Sequence, residues 1–164
     1  MKIFGIVGLK NSGKTYFIKK IISKLSLFNL KIASIKHAHH NFDIDKPNTD
    51  SYLHRKAGSE QVIISSSKRW AKIIELNKSS EKSLNELINE LDNPDIVIVE
   101  GFKNESHPKI EIIKDSTNSA NYLFANLKNV IAVISDIKID SFNKKQFKKS
   151  QIDEIVNFIL HYQK

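Results

Sequence analysis

Apolar positions in this chain fall into short blocks whose spacing switches between strand-like and helix-like. Ile3 to Val7 is an apolar run stopped by Gly8, the pattern of a strand buried on both faces of a parallel sheet. From Thr15 onward Phe17, Ile18, Ile21, Ile22 and Leu25 form the stripe of a helix lying on that sheet. Ile32 to Ile35 predicts a second strand, and the crossover joining the two should be right-handed. His37 to Asn48 is too polar for core and ends in a Pro-Asn turn, so it reads as a functional loop. Asp50 or Ser51 is expected to cap a short helix running to Ala57 and closed by Gly58. Gln61 to Ser65 and Trp70 to Leu76 then predict two strands paired as an antiparallel hairpin. Leu84, Leu87, Ile88 and Leu91 make another helical stripe ending at Asn93-Pro94, and Ile96 to Val99 is a buried strand that stops at Glu100-Gly101. Ile110 to Ile113 and Val130 to Ile134 are further strands, and Ile152, Ile155, Val156, Ile159 and Leu160 outline a last amphipathic helix. The expected fold is α/β: a mostly parallel sheet with helices on both faces and a hairpin insertion, ligands binding at the carboxyl ends of the strands.

At 164 residues and 40% hydrophobic composition, the chain is expected to form one domain over residues 1–164. No apolar run approaches the ~20 residues of a membrane helix, and Met1 leads directly into a strand, so the expectation is a soluble cytoplasmic protein. The absence of cysteine removes disulfides, thiolate metal sites and cysteine nucleophiles. A formal net charge of +8 raises the question of a nucleic-acid partner. Its distribution argues against one: Arg55 and Arg69 are the sole arginines, and the lysines are scattered through every segment. Such a field still attracts an anionic nucleotide.

Between the first strand and the first helix stands Gly8-Leu9-Lys10-Asn11-Ser12-Gly13-Lys14-Thr15, a phosphate-binding (P-loop) motif. Glycines let successive backbone N–H groups of Lys10, Asn11, Ser12 and Gly13 wrap phosphates, Lys14 reaches the terminal ones, and Thr15 offers a hydroxyl to Mg²⁺. The helix N-terminus adds partial positive charge. With glycine near ~7% of average proteins, the pattern arises by chance in under roughly one per cent of chains this size. A carboxylate at the end of a neighbouring strand commonly holds Mg²⁺ or its water, and Glu100 fits that place.

His37, His39 and His40 with Asp43 and Asp45 form a polar constellation open to three readings: a transition-metal site, a phosphate- or Mg²⁺-contacting switch loop, or a solvated loop. Arg55 and Arg69 stand out in a chain that otherwise uses lysine, and a guanidinium fork suits phosphate or cofactor contacts as well as surface ion pairs. The Asn-Lys-x-Asp signature that reads guanine is absent, which leaves Asp136, just past a strand, as a candidate for holding the base.

These blocks, taken in order, carry a resemblance. Gly8 to Thr15, Ile35 to Asp45, Asp50-Ser51, His54 to Gly58, Arg69-Trp70-Ala71, Val99 to Lys103 and Pro108 to Glu111 resemble the MobB family of molybdopterin-guanine dinucleotide biosynthesis adapter proteins. The likeness runs from about Met1 to Ile113 with collinear spacing. It implies a GTP-binding homodimer with weak GTPase activity, similar in fold to dethiobiotin synthetase and the nickel-insertion GTPases. Such a protein assists the MobA guanylyltransferase, and molybdopterin is a further candidate ligand. By the same resemblance Mg²⁺ is held by Thr15, by Asp43 or Asp45, and by Glu100. Lys14 and Glu100 are expected to carry the chemistry, with the loop from His37 to Asp45 sensing the γ-phosphate. Asn48 replaces a glycine usual in the family, a change that keeps the turn because Asn tolerates the left-handed conformation. A small-molecule kinase or a metallochaperone GTPase built on the His37–Asp45 loop are the rival readings.

Overall fold

The computed structural model describes residues 1–38, 42–77 and 80–163. They fall into two compact units, Met1–His37 with Leu84–Lys164, and Ala38–Ser83.

The larger unit is a six-stranded, wholly parallel sheet. Its strands are β1 (Lys2–Gly8), β2 (Ile32–Lys36), β5 (Ile96–Glu100), β6 (Lys109–Ile112), β7 (Val130–Ile134) and β8 (Lys145–Phe147), laid out in the order β2-β5-β1-β6-β7-β8. Alternate residues of the central strands serve opposite faces. Phe4, Ile6, Ile96, Ile98, Ile110 and Ile112 meet helices α1 (Lys14–Leu25) and α4 (Ile152–His161) through Phe17, Ile21, Leu25, Ile155 and Ile159. Val97, Val99 and Ile35 meet Leu84, Leu87 and Ile88 of helix α3 (Leu84–Asn89) on the other face. Both faces are therefore covered, which is why these strands are near-continuous apolar runs. Full burial of each such side chain contributes roughly 1.5–3 kcal/mol, so the sheet centre is the rigid base of the molecule's carboxyl-end loops.

Strand β8 has no apolar run to announce it: Lys145-Gln146-Phe147 places one buried residue, Phe147, at an edge. Charged residues also enter β6. Lys109 is fully buried and donates its ammonium protons to the carbonyls of Glu105, His107 and Lys128. Glu111 accepts from the backbone N–H groups of Leu123 and Phe124, each at 2.8 Å.

The smaller unit holds helix α2 (Asp50–Lys56) and the antiparallel pair β3 (Gln61–Ser65) and β4 (Trp70–Ile74), in the register Val62↔Ile73. The helix starts one residue earlier than expected: Thr49 is the N-cap, and its hydroxyl turns back to the Lys46 carbonyl at 2.8 Å. Asn48 adopts φ 67°, the left-handed turn expected of it. Among the described residues no helix is long and apolar enough to cross a membrane.

Candidate functional site

β1 delivers the chain to the phosphate loop at the carboxyl end of the sheet, and α1 begins at Lys14 immediately behind it. Gly8 is required by close approach: a Cβ there would lie 2.5 Å from Ser12 Oγ and 2.6 Å from the Ile112 carbonyl. Asn11 takes φ 61°, and the Ser12 N–H closes the loop on the Leu9 carbonyl at 3.2 Å. Lys14 Nζ folds over this ring and donates to the carbonyls of Gly8 at 3.0 Å and Leu9 at 2.7 Å. Burial holds its pKa below the ordinary lysine value; Glu100 opposes that effect, and Lys103 and Lys36 add to it. Ser12 is 8% exposed, and its hydroxyl has no hydrogen-bond partner. A buried polar group without a partner is costly, so a cradle with an orphan hydroxyl and an ammonium at its mouth offers donors of the kind phosphate oxygens require. Thr15 is exposed in the first turn of α1.

Glu100 ends β5 beside Ile6 of β1 and Lys36 of β2, with a side chain 18% exposed and 3.5 Å from Lys36 Nζ. Its backbone carbonyl accepts from the His37 N–H at 2.8 Å. The His37 ring stacks on Phe102 at 4.6 Å between centroids. Gly101 permits this, since its φ is 97° and a Cβ would lie 2.5 Å from His37 Cβ. His37 is thus a packing partner of the strand-end loop. His39 and His40 lie outside the described residues.

Asp43, Asp45 and Arg55, assigned from sequence to metal and to phosphate, are placed against one another. Arg55 donates from Nε and Nη2 to both oxygens of Asp45, at 3.0 and 2.5 Å, and from Nη2 to Asp43 at 2.8 Å, while Nη1 meets Glu75. Hydrogen bonding to Arg55 holds the Asp45 carboxyl below its usual range, and the bonds from Asp45, Glu75 and Asp43 raise the Arg55 pKa. A guanidinium so engaged has its donors spent on carboxylates, and Asp45 has both oxygens spent on it; in this structure neither is left for phosphate or metal. Arg69 lies in the β3–β4 turn, where its carbonyl accepts from Ser66 N–H at 2.9 Å. Among the described residues no group of three or more His, Asp or Glu is arranged to hold a metal ion.

Asp136 follows β7. Its carboxylate accepts from the Lys149 N–H at 2.9 Å and lies 3.5 Å from Lys149 Nζ, which also pairs with Asp115 at 2.6 Å. Sequence reasoning passed over Lys36, Lys103, Asp115 and Lys149. The first two stand inside or beside the motif blocks, which was the available signal; the last two come together only through the sheet order.

A strand, a phosphate loop and a helix, with an acid ending the adjacent parallel strand, define the P-loop NTPase fold. The chain belongs to the MobB family: the family profile, molybdopterin guanine dinucleotide synthesis protein B, matches residues 3–136. It is 38% identical over 131 residues to the molybdopterin-guanine dinucleotide biosynthesis adapter protein of Escherichia coli, an alignment covering 79% of this chain and 75% of that protein. The adapter protein of Haemophilus influenzae is 42% identical over 110 residues, covering 66% of this chain and 61% of its own length. The crystal structure of Bacillus subtilis MobB superposes with a TM-score of 0.77 at 25% identity, covering 98% of this chain and 96% of that one. That of a MobB homolog from Bacillus stearothermophilus gives 0.75 at 20% identity, with 98% and 96% covered.

Proposed function

We propose that this protein is a GTP-binding adapter in molybdopterin-guanine dinucleotide biosynthesis, which binds GTP with Mg²⁺, hydrolyses it slowly and assists a MobA-type guanylyltransferase. The observation that carries the nucleotide reading is the phosphate loop, with the orphan Ser12 hydroxyl and Lys14 held across its mouth. Lys14 and the N–H groups of Lys10 to Gly13 would take the β- and γ-phosphates. Thr15 and Glu100 would hold Mg²⁺, which when bound neutralises charge on the phosphate oxygens. With both of its oxygens engaged by Arg55, Asp45 drops out of the proposed metal set, whereas Arg55 takes a single oxygen of the exposed Asp43. Slow hydrolysis is consistent with the commitment of Arg55 to three carboxylates, because phosphoryl transfer is accelerated strongly by an arginine free to meet the γ-phosphate.

Homodimer formation draws support from the hairpin. Ile63, Trp70 and Ile74 share one of its faces and are 65%, 69% and 38% exposed, a patch suited to pairing with its own copy. The adapter role itself comes from the family, whose Escherichia coli and Haemophilus influenzae relatives carry that name; molybdopterin is a further candidate ligand.

Calorimetric titration with GTP and ATP, with and without Mg²⁺, tests the nucleotide part, and co-sedimentation with a guanylyltransferase in the presence of each nucleotide tests the adapter part. The reading expects GTP to bind more tightly, Mg²⁺ to be required for full affinity, and the partner to associate in a nucleotide-dependent way. Equal affinity for ATP and GTP would overturn the guanine assignment.

A further inference from the structure

Strand register sets four residues in one row across the carboxyl end of the sheet. Gly8, where the phosphate loop begins, is level with Ile112 of β6, Ile112 with Ile134 of β7, and Ile134 with Phe147 of β8. Two or three residues past this row each of the last three strands leads to a charged side chain: Asp115 after β6, Asp136 after β7 and Lys149 after β8. At about 4.8 Å per strand, the ends of β7 and β8 lie roughly 10 and 14 Å to the side of the phosphate loop. A nucleotide with its phosphates in that loop must place ribose and base beyond it. This is the side away from Glu100, which ends β5 on the other flank of β1.

Local backbone bonds fix the three charged residues. The Thr117 N–H closes a turn around Asp115 on the Lys114 carbonyl at 2.8 Å. The turn from β8 into α4 is closed twice: the Lys148 N–H donates to Gln151 Oε1 at 2.8 Å, and the Gln151 N–H to the Lys148 carbonyl at 3.0 Å. Lys149 therefore presents a fixed N–H, which donates to Asp136 Oδ1 at 2.9 Å. Its ammonium has two carboxylates within reach. It takes Asp115 at 2.6 Å and stands 3.5 Å from Asp136 Oδ2. Within this trio one negative charge is uncompensated, and the two distances place it on Asp136, whose side chain is 48% exposed.

On the reading that Asp136 takes the base of a guanine nucleotide, we infer that Asp115 is a specificity-determining positioning residue. By holding the Lys149 ammonium away from Asp136, it keeps that carboxylate open to the paired N1–H and 2-amino donors of guanine. An ammonium released onto Asp136 would compete with those donors for Oδ2, the oxygen that the Lys149 N–H leaves untouched.

The test is calorimetric titration with GTP and with ATP, in Mg²⁺, of wild type, Asp115→Asn, Lys149→Met, the double variant carrying both changes, and Asp136→Asn. Thermal unfolding of the same preparations confirms that each is folded. Asp115→Asn removes the charge that retains the ammonium at almost constant size. It should lower GTP affinity by about fivefold, the upper range for a partly exposed ion pair, with ATP affinity changing less than about twofold. Lys149→Met deletes the competitor and keeps the backbone N–H, so alone it should leave GTP affinity at least as high as in wild type. In the double variant it should restore what Asp115→Asn loses. A merely structural Asp115–Lys149 pair predicts the opposite, since removing its second member cannot recover the first loss. An unchanged GTP to ATP ratio in Asp115→Asn, or a double variant as weak as that single one, would sink the inference while a loss of preference in Asp136→Asn kept the guanine reading standing. A preference that survives Asp136→Asn would remove the reading and the inference together.

Discussion

Arg55 and Asp45 meet through two parallel hydrogen bonds, Nε to Oδ2 at 3.0 Å and Nη2 to Oδ1 at 2.5 Å, with the Asp45 side chain 3% exposed. The pair ties the loop ahead of α2 to that helix, and Glu75 brings in the end of the hairpin. Arg55→Lys keeps the charge and loses the fork, so the small unit should unfold at lower urea concentration. Trp70, the chain's single tryptophan, lies in that unit and reports it by fluorescence. GTP affinity should change less than about twofold, because the donors lost serve carboxylates; a large loss of affinity with unchanged unfolding would return Arg55 to the phosphate site. The sign of the pH effect follows from Asp45, whose folded pKa is depressed. Its stabilisation is present above the ordinary carboxylate value of 3.8 and is lost as pH falls below it through the folded value.

A separate acid sensitivity should appear at milder pH. His107 is 7% exposed with neither ring nitrogen hydrogen-bonded, and burial, assisted by the charge of Lys109, lowers its pKa from 6.5 to about 4. The unfolded chain binds a proton in that interval and the folded one does not, so stability falls as pH drops from 6.5 to about 4, by up to roughly 3 kcal/mol. His107→Leu should flatten this limb of the stability profile measured by urea unfolding at successive pH values, and leave the Asp45 limb below it. A profile as steep in the variant as in wild type would assign the loss to other groups.

The central strands were legible because burial on both faces leaves a continuous apolar run, as at Ile96 to Val99. β8 was not: a three-residue edge strand needs one buried side chain, and Phe147 among lysines carries no period. The β6 strand was read from Ile110, one residue late, because Lys109 is a charge whose burial is compensated by carbonyls reached only in the folded chain. The phosphate loop was legible since its chemistry is local, eight consecutive residues with backbone donors. The Arg55 network was not, as its acids lie ten, twelve and twenty residues away and nothing in their spacing shows that they converge. Residue type alone made the same side chains look like ligands for metal and phosphate.

Lys14→Ala should remove measurable GTP affinity while thermal unfolding stays close to wild type. Its ammonium is bonded to two carbonyls of its own loop and contributes nothing to the apolar core. Calorimetry and melting on the same preparation check both halves. Near wild-type affinity would overturn the site. Thr15→Ala should be milder toward the nucleotide and should weaken the Mg²⁺ dependence, since only a metal-directed hydroxyl is lost.

Glu100→Gln should reduce hydrolysis more than binding. The amide preserves size and the strand-end geometry, including the backbone bond from His37, but removes the charge that would face Mg²⁺. An interaction that strengthens as charge develops on the transferring phosphoryl group is felt in turnover before it is felt in affinity. Single-turnover hydrolysis alongside equilibrium binding separates the two, and equal losses would contradict the role.

The base should be read at the carboxyl end of β7. Asp136 is half exposed there and oriented by Lys149, which donates its backbone N–H to one carboxylate oxygen and sets its ammonium 3.5 Å from the other. A carboxylate so positioned can accept from the N1–H and 2-amino groups of guanine, whereas adenine presents an unprotonated N1 that repels it. Lys149 is shared with Asp115 at 2.6 Å, so the ammonium can stay with that partner when a base takes up Asp136. Losing a charge-assisted pair costs about 1.5–3 kcal/mol, roughly ten- to a hundredfold or more in affinity. Asp136→Asn should therefore narrow the gap between GTP and ATP by about that factor or more, through a loss of GTP affinity and a smaller gain of ATP affinity as the repulsion of adenine N1 is relieved. A wild-type preference for GTP that survives Asp136→Asn intact would move the base to other residues of this end of the sheet.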